Sequence, residues 1–95
     1  MVLFFDLSEE ENYIYAIIGE AAQELQSEAY MIGGYVRDKI LGRKSYDMDI
    51  VSVGSGIALA KKVAEKLKPV PKVAVYQNYG TASLRNEHLI LEFVG

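Results

Sequence analysis

Two aspartates at alternate positions, Asp47 and Asp49 in the run Tyr46-Asp-Met-Asp-Ile50, are the residues of this chain best suited to chemistry. In an extended segment, residues two apart point to the same face, about 6.6 Å apart along the strand, so both carboxylates reach one point above a sheet. Two like charges held together disfavour ionisation unless a cation neutralises them. A divalent ion resolves that conflict, and carboxylate oxygens are the ligands that Mg²⁺ takes. With a third carboxylate on a neighbouring strand, the pair could hold two Mg²⁺ about 3.5–4 Å apart, one activating an attacking hydroxyl and the other steadying a leaving phosphate. Glu92 is the candidate for the third. It stands among Leu89, Ile90, Leu91, Phe93 and Val94, where a lone acid is costly unless it faces solvent or a metal. Taken alone, an Asp-x-Asp at a strand start is more often a solvated turn, so the weight of the pair depends on its surroundings.

Gly33-Gly34 precedes it, after a short apolar run and before a helical one. Glycines there let backbone N–H groups approach a triphosphate closely, and the start of a helix adds a favourable partial charge. Arg37 lies one turn on, where it either binds phosphate or braces the site by pairing with Asp38 or Asp47. Asp38 reads as a brace rather than a metal ligand. The glycines do not match the G-x-G-x-x-G pattern of dinucleotide-binding folds, so that reading fails. His88, the only histidine, falls in a hairpin turn and reads as an exposed loop residue. Tyr76 and Tyr79 could stack on a base, although tyrosines at strand ends more often pack against the core or an edge. Arg43, Lys44 and Arg85 read as solvated charges or as contacts to phosphate.

The elements that must position these residues follow from periodicity. Ser8-Glu-Glu-Glu11 has the form of a capping box, and Ile14, Ile17, Ile18, Ala21 and Leu25 recur at helical spacing, predicting a helix from Glu9 to Gln26. A strand from Glu28 to Ile32 runs into the glycines, and a brief helix from Tyr35 to Leu41 closes at Gly42. Asp47 to Val53 has strand character. Gly54-Ser-Gly56 breaks it, with Ser55 a cap for the next helix, whose stripe is Ile57, Ala60, Val63, Ala64 and Leu67 and which Pro69 stops. Strands at Lys72–Gln77, Thr81–Arg85 and Leu89–Val94 follow, the last two as a hairpin. This order implies an α+β fold, a mixed sheet with helices on one side.

A length of 95 residues bounds the chain to one domain. With 51% hydrophobic and 24% charged residues it should fold rather than remain disordered. A net charge of −3 argues against a nucleic-acid surface as the main feature. The absence of cysteine excludes disulfides and thiolate metal sites. Met1-Val-Leu-Phe-Phe5 lacks a basic start, is too short for a signal core and reads as a packing segment. No apolar run approaches the roughly 20 residues that span a bilayer, and a cytoplasmic location is expected.

Together these residues are more specific than any part. Tyr30-Met-Ile-Gly-Gly-Tyr-Val-Arg-Asp-Lys-Ile-Leu-Gly-Arg43 followed by Asp47-Met-Asp49 closely resembles the signature of the class II tRNA nucleotidyltransferases, the CCA-adding enzymes, and of the related bacterial poly(A) polymerases. Tyr79-Gly-Thr-Ala82 and Leu91-Glu-Phe-Val94 are similar to later strands of the same catalytic head, so the resemblance covers Glu28 to Gly95. It implies a nucleotidyltransferase fold of the DNA polymerase beta-like kind. It further implies that Asp47 and Asp49 bind two Mg²⁺ and act with Glu92 in catalysis, and that Gly33, Gly34, Arg37 and Asp38 bind nucleotide. The reaction implied is transfer from CTP or ATP to the 3′ end of tRNA, with poly(A) addition as the alternative within the family. A non-catalytic nucleotide-binding module is the alternative from another class. Family members continue with an arginine and then neck, body and tail domains that read the base and grip tRNA. The resemblance therefore implies that residues 1–95 are a head domain only, inactive or weakly active alone, with tRNA held through domains outside it.

Overall fold

The computed structural model describes residues 8–33, 37, 38, 40–42 and 46–95. The packing segment at Met1–Phe5, together with Gly34, Tyr35, Arg43 and Lys44, lies outside the described residues.

The first helix, α1 (Glu9–Glu24), starts where its capping box is satisfied from both sides. The Glu11 amide donates to Ser8 Oγ at 3.2 Å and the Ser8 amide donates to Glu11 Oε1 at 2.9 Å, pairing donors that a helix start otherwise leaves open. It ends two residues earlier than expected, because Gln26 turns left-handed at φ 53°. Leu25 consequently leaves the apolar stripe and is half-exposed, and Ala22 takes its place in the core. The second full helix, α2 (Gly56–Lys66), is capped by Ser55, whose Oγ accepts from the Ala58 amide at 3.0 Å. Its buried face adds Leu59 to the expected Ala60, Val63 and Ala64. Lys66 ties the helices together through Glu20, at 3.0 Å, and Glu24.

Five strands form one sheet: β1 (Ala29–Ile32), β2 (Asp47–Ser52), β3 (Ala74–Tyr76), β4 (Thr81–Asn86) and β5 (Leu89–Val94), in the order β1-β2-β5-β4-β3. The expected strand at Lys72–Gln77 is shorter at both ends: it starts only at Ala74, and Gln77–Tyr79 forms a 3₁₀ turn ending at a left-handed Gly80. From β2 the chain crosses through α2 to the far edge, and β4 and β5 then walk back until β5 lies beside β2. That return makes β2 and β5 parallel, while the other neighbours are antiparallel.

Both helices pack on the face carrying Met48, Ile50, Ala82, Leu84, Leu89, Leu91 and Phe93, which are buried with the apolar stripes of α1 and α2. Alternation along β2 and β5 leaves the intervening residues on the opposite, open face. Gly56 closes the layer: a Cβ there would meet the Val94 backbone at 2.7 Å, so α2 starts in contact with the end of β5. The architecture is α+β, a mixed sheet with helices on one side, as the order of elements implies.

Candidate functional site

The parallel register of β2 and β5 places Asp49 opposite Glu92 and Asp47 opposite Ile90. Adjacent strands lie about 4.8 Å apart, so the topology brings two acids distant in sequence into one row of the open face. Asp47 stands on the same face one step away along β2. On the other side of Asp49 lies Ile32 of β1, and the chain turns immediately afterwards at Gly33.

Gly33 is required there for two separate reasons. Its φ of +77° is in the left-handed region, and a Cβ on it would come 2.8 Å from Asp49 Oδ2. The backbone therefore passes close against the carboxylate, which no other residue type permits without moving it. Helical residues Arg37, Asp38 and Ile40 follow, with the Arg37 amide donating to the Gly33 carbonyl at 3.3 Å and the Leu41 amide to the Arg37 carbonyl at 3.0 Å. Gly42 ends this turn at φ +74°. Arg37 Nε lies 3.6 Å from Asp38 Oδ1, yet the arginine side chain is 70% exposed, so the pair leaves most of the guanidinium open. Both roles read from the sequence, brace and phosphate ligand, are sterically open to it.

Asp49 is the electrostatically stressed member of the set. Its carboxyl is pushed above the ordinary aspartate value, first by burial and then by the charge of Asp47. This is the repulsion expected from two acids on one strand face. Among the described residues no three histidine, cysteine or acidic side chains converge as a ready cage for one ion. Asp47 and Asp49 with Glu92 across the row are thus a pair and a neighbour, not a closed cluster. Mg²⁺ commonly uses one or two carboxylates, keeping waters and substrate phosphates as its other ligands, so the donor set fits that ion without a cage.

The remaining sequence candidates divide by exposure. Tyr76 and Tyr79 are 52% and 80% exposed: of the core or edge positions expected for them, Tyr76 takes the edge, on β3, and the 3₁₀ turn after it leaves Tyr79 outward. His88 is exposed in the turn between β4 and β5, as expected, and its neighbour Glu87 faces Glu10 at the start of α1. Burial and Glu87 raise the Glu10 carboxyl, with His88 opposing. A cleft of about 430 Å³ opens between α1 and β1, lined by Tyr15, Ile18, Ala22, Ala29 and Met31 among others. It is mainly apolar, lies toward the helical side, and none of Asp47, Asp49 and Glu92 lines it, so the cleft and the row of acids are separate features of the molecule. Sequence reasoning placed Arg85 only among charges of mixed meaning. The register now sets it on the open face, opposite Ile90 and in line with Asp47.

The comparisons with known proteins agree with this geometry. Residues 29–94 match the family model described as the poly A polymerase head domain. The chain belongs to that family. It is 41% identical over 69 residues to an A-adding tRNA nucleotidyltransferase of Aquifex aeolicus (strain VF5), which covers 68% of this chain and 8% of the relative. The chain thus spans less than a tenth of that relative's length. Among solved structures it is similar to a CCA-adding enzyme in complex with ATP, with a TM-score of 0.86, 27% identity and coverage of 93% of this chain and 21% of the other. It is also similar to a tRNA nucleotidyltransferase complexed with a primer tRNA and an incoming ATP analogue, with a TM-score of 0.75, 39% identity and coverage of 81% and 22%.

Proposed function

We propose that this head domain catalyses metal-dependent nucleotidyl transfer from CTP or ATP to the 3′ end of tRNA, with CCA addition as the reaction. The observation that carries this reading is the open-face row: Asp49, stressed by burial and by Asp47, stands opposite Glu92 and against the Gly33 backbone. Proteins similar to this chain support the substrates, since one was solved with ATP and another with a primer tRNA and an ATP analogue. Addition of A alone is a second reading, favoured by the A-adding relative from Aquifex.

In the proposed reaction the terminal 3′-oxygen attacks the α-phosphorus of the nucleotide. A new O3′–P bond forms, the bond from the α-phosphorus to the bridging oxygen breaks, pyrophosphate leaves and the hydroxyl proton passes to solvent. Asp47 and Asp49 would hold two divalent ions, with Glu92 supporting them from β5. Mg²⁺ bound there would favour ionisation of the attacking hydroxyl and offset charge on the departing phosphate. Gly33 and Gly34 let the backbone approach the triphosphate, Arg37 offers a guanidinium to its phosphates, and Asp38 orients that guanidinium.

The test is thermal melting with and without Mg²⁺ and ATP or CTP. Ligands that bind only the folded state raise its melting temperature. The rise should be present in the unaltered chain and disappear in the double variant Asp47→Asn, Asp49→Asn. Equal melting temperatures in all conditions would remove the metal-site reading.

A further inference from the structure

We propose that Arg85 is a binding residue for the primer: its guanidinium takes a backbone phosphate of the RNA strand whose 3′-hydroxyl is extended. The inference rests on the nucleotidyl-transfer reading and adds to it a division of the open face into a nucleotide side and a primer side.

The division follows from where the groups stand. Gly33 and the helical turn carrying Arg37 lie on the β1 side of Asp49, so phosphates held by that turn lie on the β1 side. In nucleotidyl transfer the attacking and leaving oxygens are roughly in line through the phosphorus. A pyrophosphate leaving toward β1 therefore places the attacking hydroxyl, and the strand it ends, on the opposite side, above β5 and β4. The register defines what that side offers. Glu92 is flanked by Ser83, Val94 by Thr81, and Ile90 by Arg85. Among the described strand residues of this face Arg85 is the one cation, the others being acidic, hydroxyl-bearing or apolar.

An RNA backbone entering here meets the field of three carboxylates, and a phosphate near them is repelled unless a positive group stands beside it. Arg85 is placed to supply that charge. It shares a row with Asp47 at two strand spacings, about 9.6 Å between Cα positions. That separation leaves room for metal and reacting phosphate between the two. The side chain is exposed and makes no ion pair or hydrogen bond among the described residues. Glu92, its diagonal neighbour across the β4–β5 ladder, does not neutralise it. β4 is an interior strand, between β5 and β3, so Arg85 is not a charge blunting a sheet edge. A planar guanidinium that has no internal partner and faces an acidic site is suited to bidentate contact with phosphate.

The experiment measures fluorescence anisotropy of a short 3′-hydroxyl RNA oligonucleotide against this chain, with Mg²⁺ and a non-hydrolysable ATP analogue present, over a range of salt. Arg85→Ala should weaken RNA binding roughly tenfold or more and lower the salt slope by about 1, while the Mg²⁺–nucleotide rise in melting temperature stays as in the unaltered chain. Arg85→Lys should keep the salt slope, because the charge remains, and lose part of the affinity with the bidentate fork. RNA binding unchanged in Arg85→Ala would overturn the assignment. So would an unaltered chain that shows the nucleotide shift but binds no RNA, or an Arg85→Ala variant that loses the nucleotide shift along with the RNA. Absence of the nucleotide shift from the unaltered chain is a different result, which removes the nucleotidyl-transfer reading beneath it.

Discussion

The two faces of β2 and β5 are made by the same twelve residues and serve opposite purposes. Met48, Ile50, Leu91 and Phe93 point to the helices and are at most 1% exposed, whereas Asp47, Asp49, Ile90 and Glu92 occupy the alternate positions. The acids are held rigidly because their immediate chain neighbours are locked in the core. Parity along the strand, rather than distance in sequence, thus decides whether a residue joins the core or the open face. A one-residue slip of either strand would bury the acids and expose the core together.

The largest effect that could break this division is expected at neighbouring positions of β5. Phe93→Ala removes a fully buried ring and should cost about 3–5 kcal/mol of folding stability, while Glu92→Gln, one residue away on the open face, should change stability by less than about 0.5 kcal/mol. Chemical denaturation measures both. Comparable losses at the two positions would mean that the faces are not energetically separate.

Gly33 sits where the two requirements meet, and its substitution sharpens the comparison. Gly33→Ala should lose about 1–2 kcal/mol, since an L-residue in the left-handed region is strained by that amount, and the new Cβ also displaces the Asp49 carboxylate. Asparagine tolerates the left-handed backbone far better but carries the same Cβ. Gly33→Asn should therefore recover much of the stability and still lack the Mg²⁺–nucleotide shift. If Gly33→Asn restores both together, the close approach to Asp49 has no functional weight.

Much of this arrangement was legible in the sequence because local signals agree with the global fold. Ser8 and Glu11 announce α1, Ser55 and Pro69 bracket α2, and the alternation Asp47-Met-Asp-Ile50 assigns both faces of β2 from one strand. The placement of Glu92 could be suspected but not located, because nothing local says that β5 returns to pair with β2 in parallel. That pairing is a long-range consequence of α2 crossing to the far edge. Arg85 was unreadable for the same reason: its meaning depends on which strands separate it from Asp47. The early ends of α1 and β3 were missed where Gln26 and Gly80 adopt left-handed conformations. Tertiary context selects the first of these, since a glutamine does not signal it.

The smallest expected effect is a pH dependence confined to the open face. Burial and Asp47 raise the Asp49 carboxyl in the folded protein above its ordinary value of 3.8, while in the unfolded chain it titrates ordinarily. Between those two values the native state holds the proton more tightly than the unfolded state, so this group makes stability fall as pH rises. Its favourable contribution is complete below the ordinary value and gone above the raised one. Metal-free Asp49→Asn lacks this titration, so its melting temperature should gain on that of the unaltered chain as pH climbs through the window, and the gap should then stay constant to neutrality. Mg²⁺ should close the gap from the other direction by stabilising only the unaltered chain. Melting curves recorded from about pH 3 upward, with and without Mg²⁺, check this. Parallel pH profiles for the two proteins would show that Asp49 carries no native-state strain, and would leave the helix-covered face as the only one whose energetics the sheet's alternation dictates.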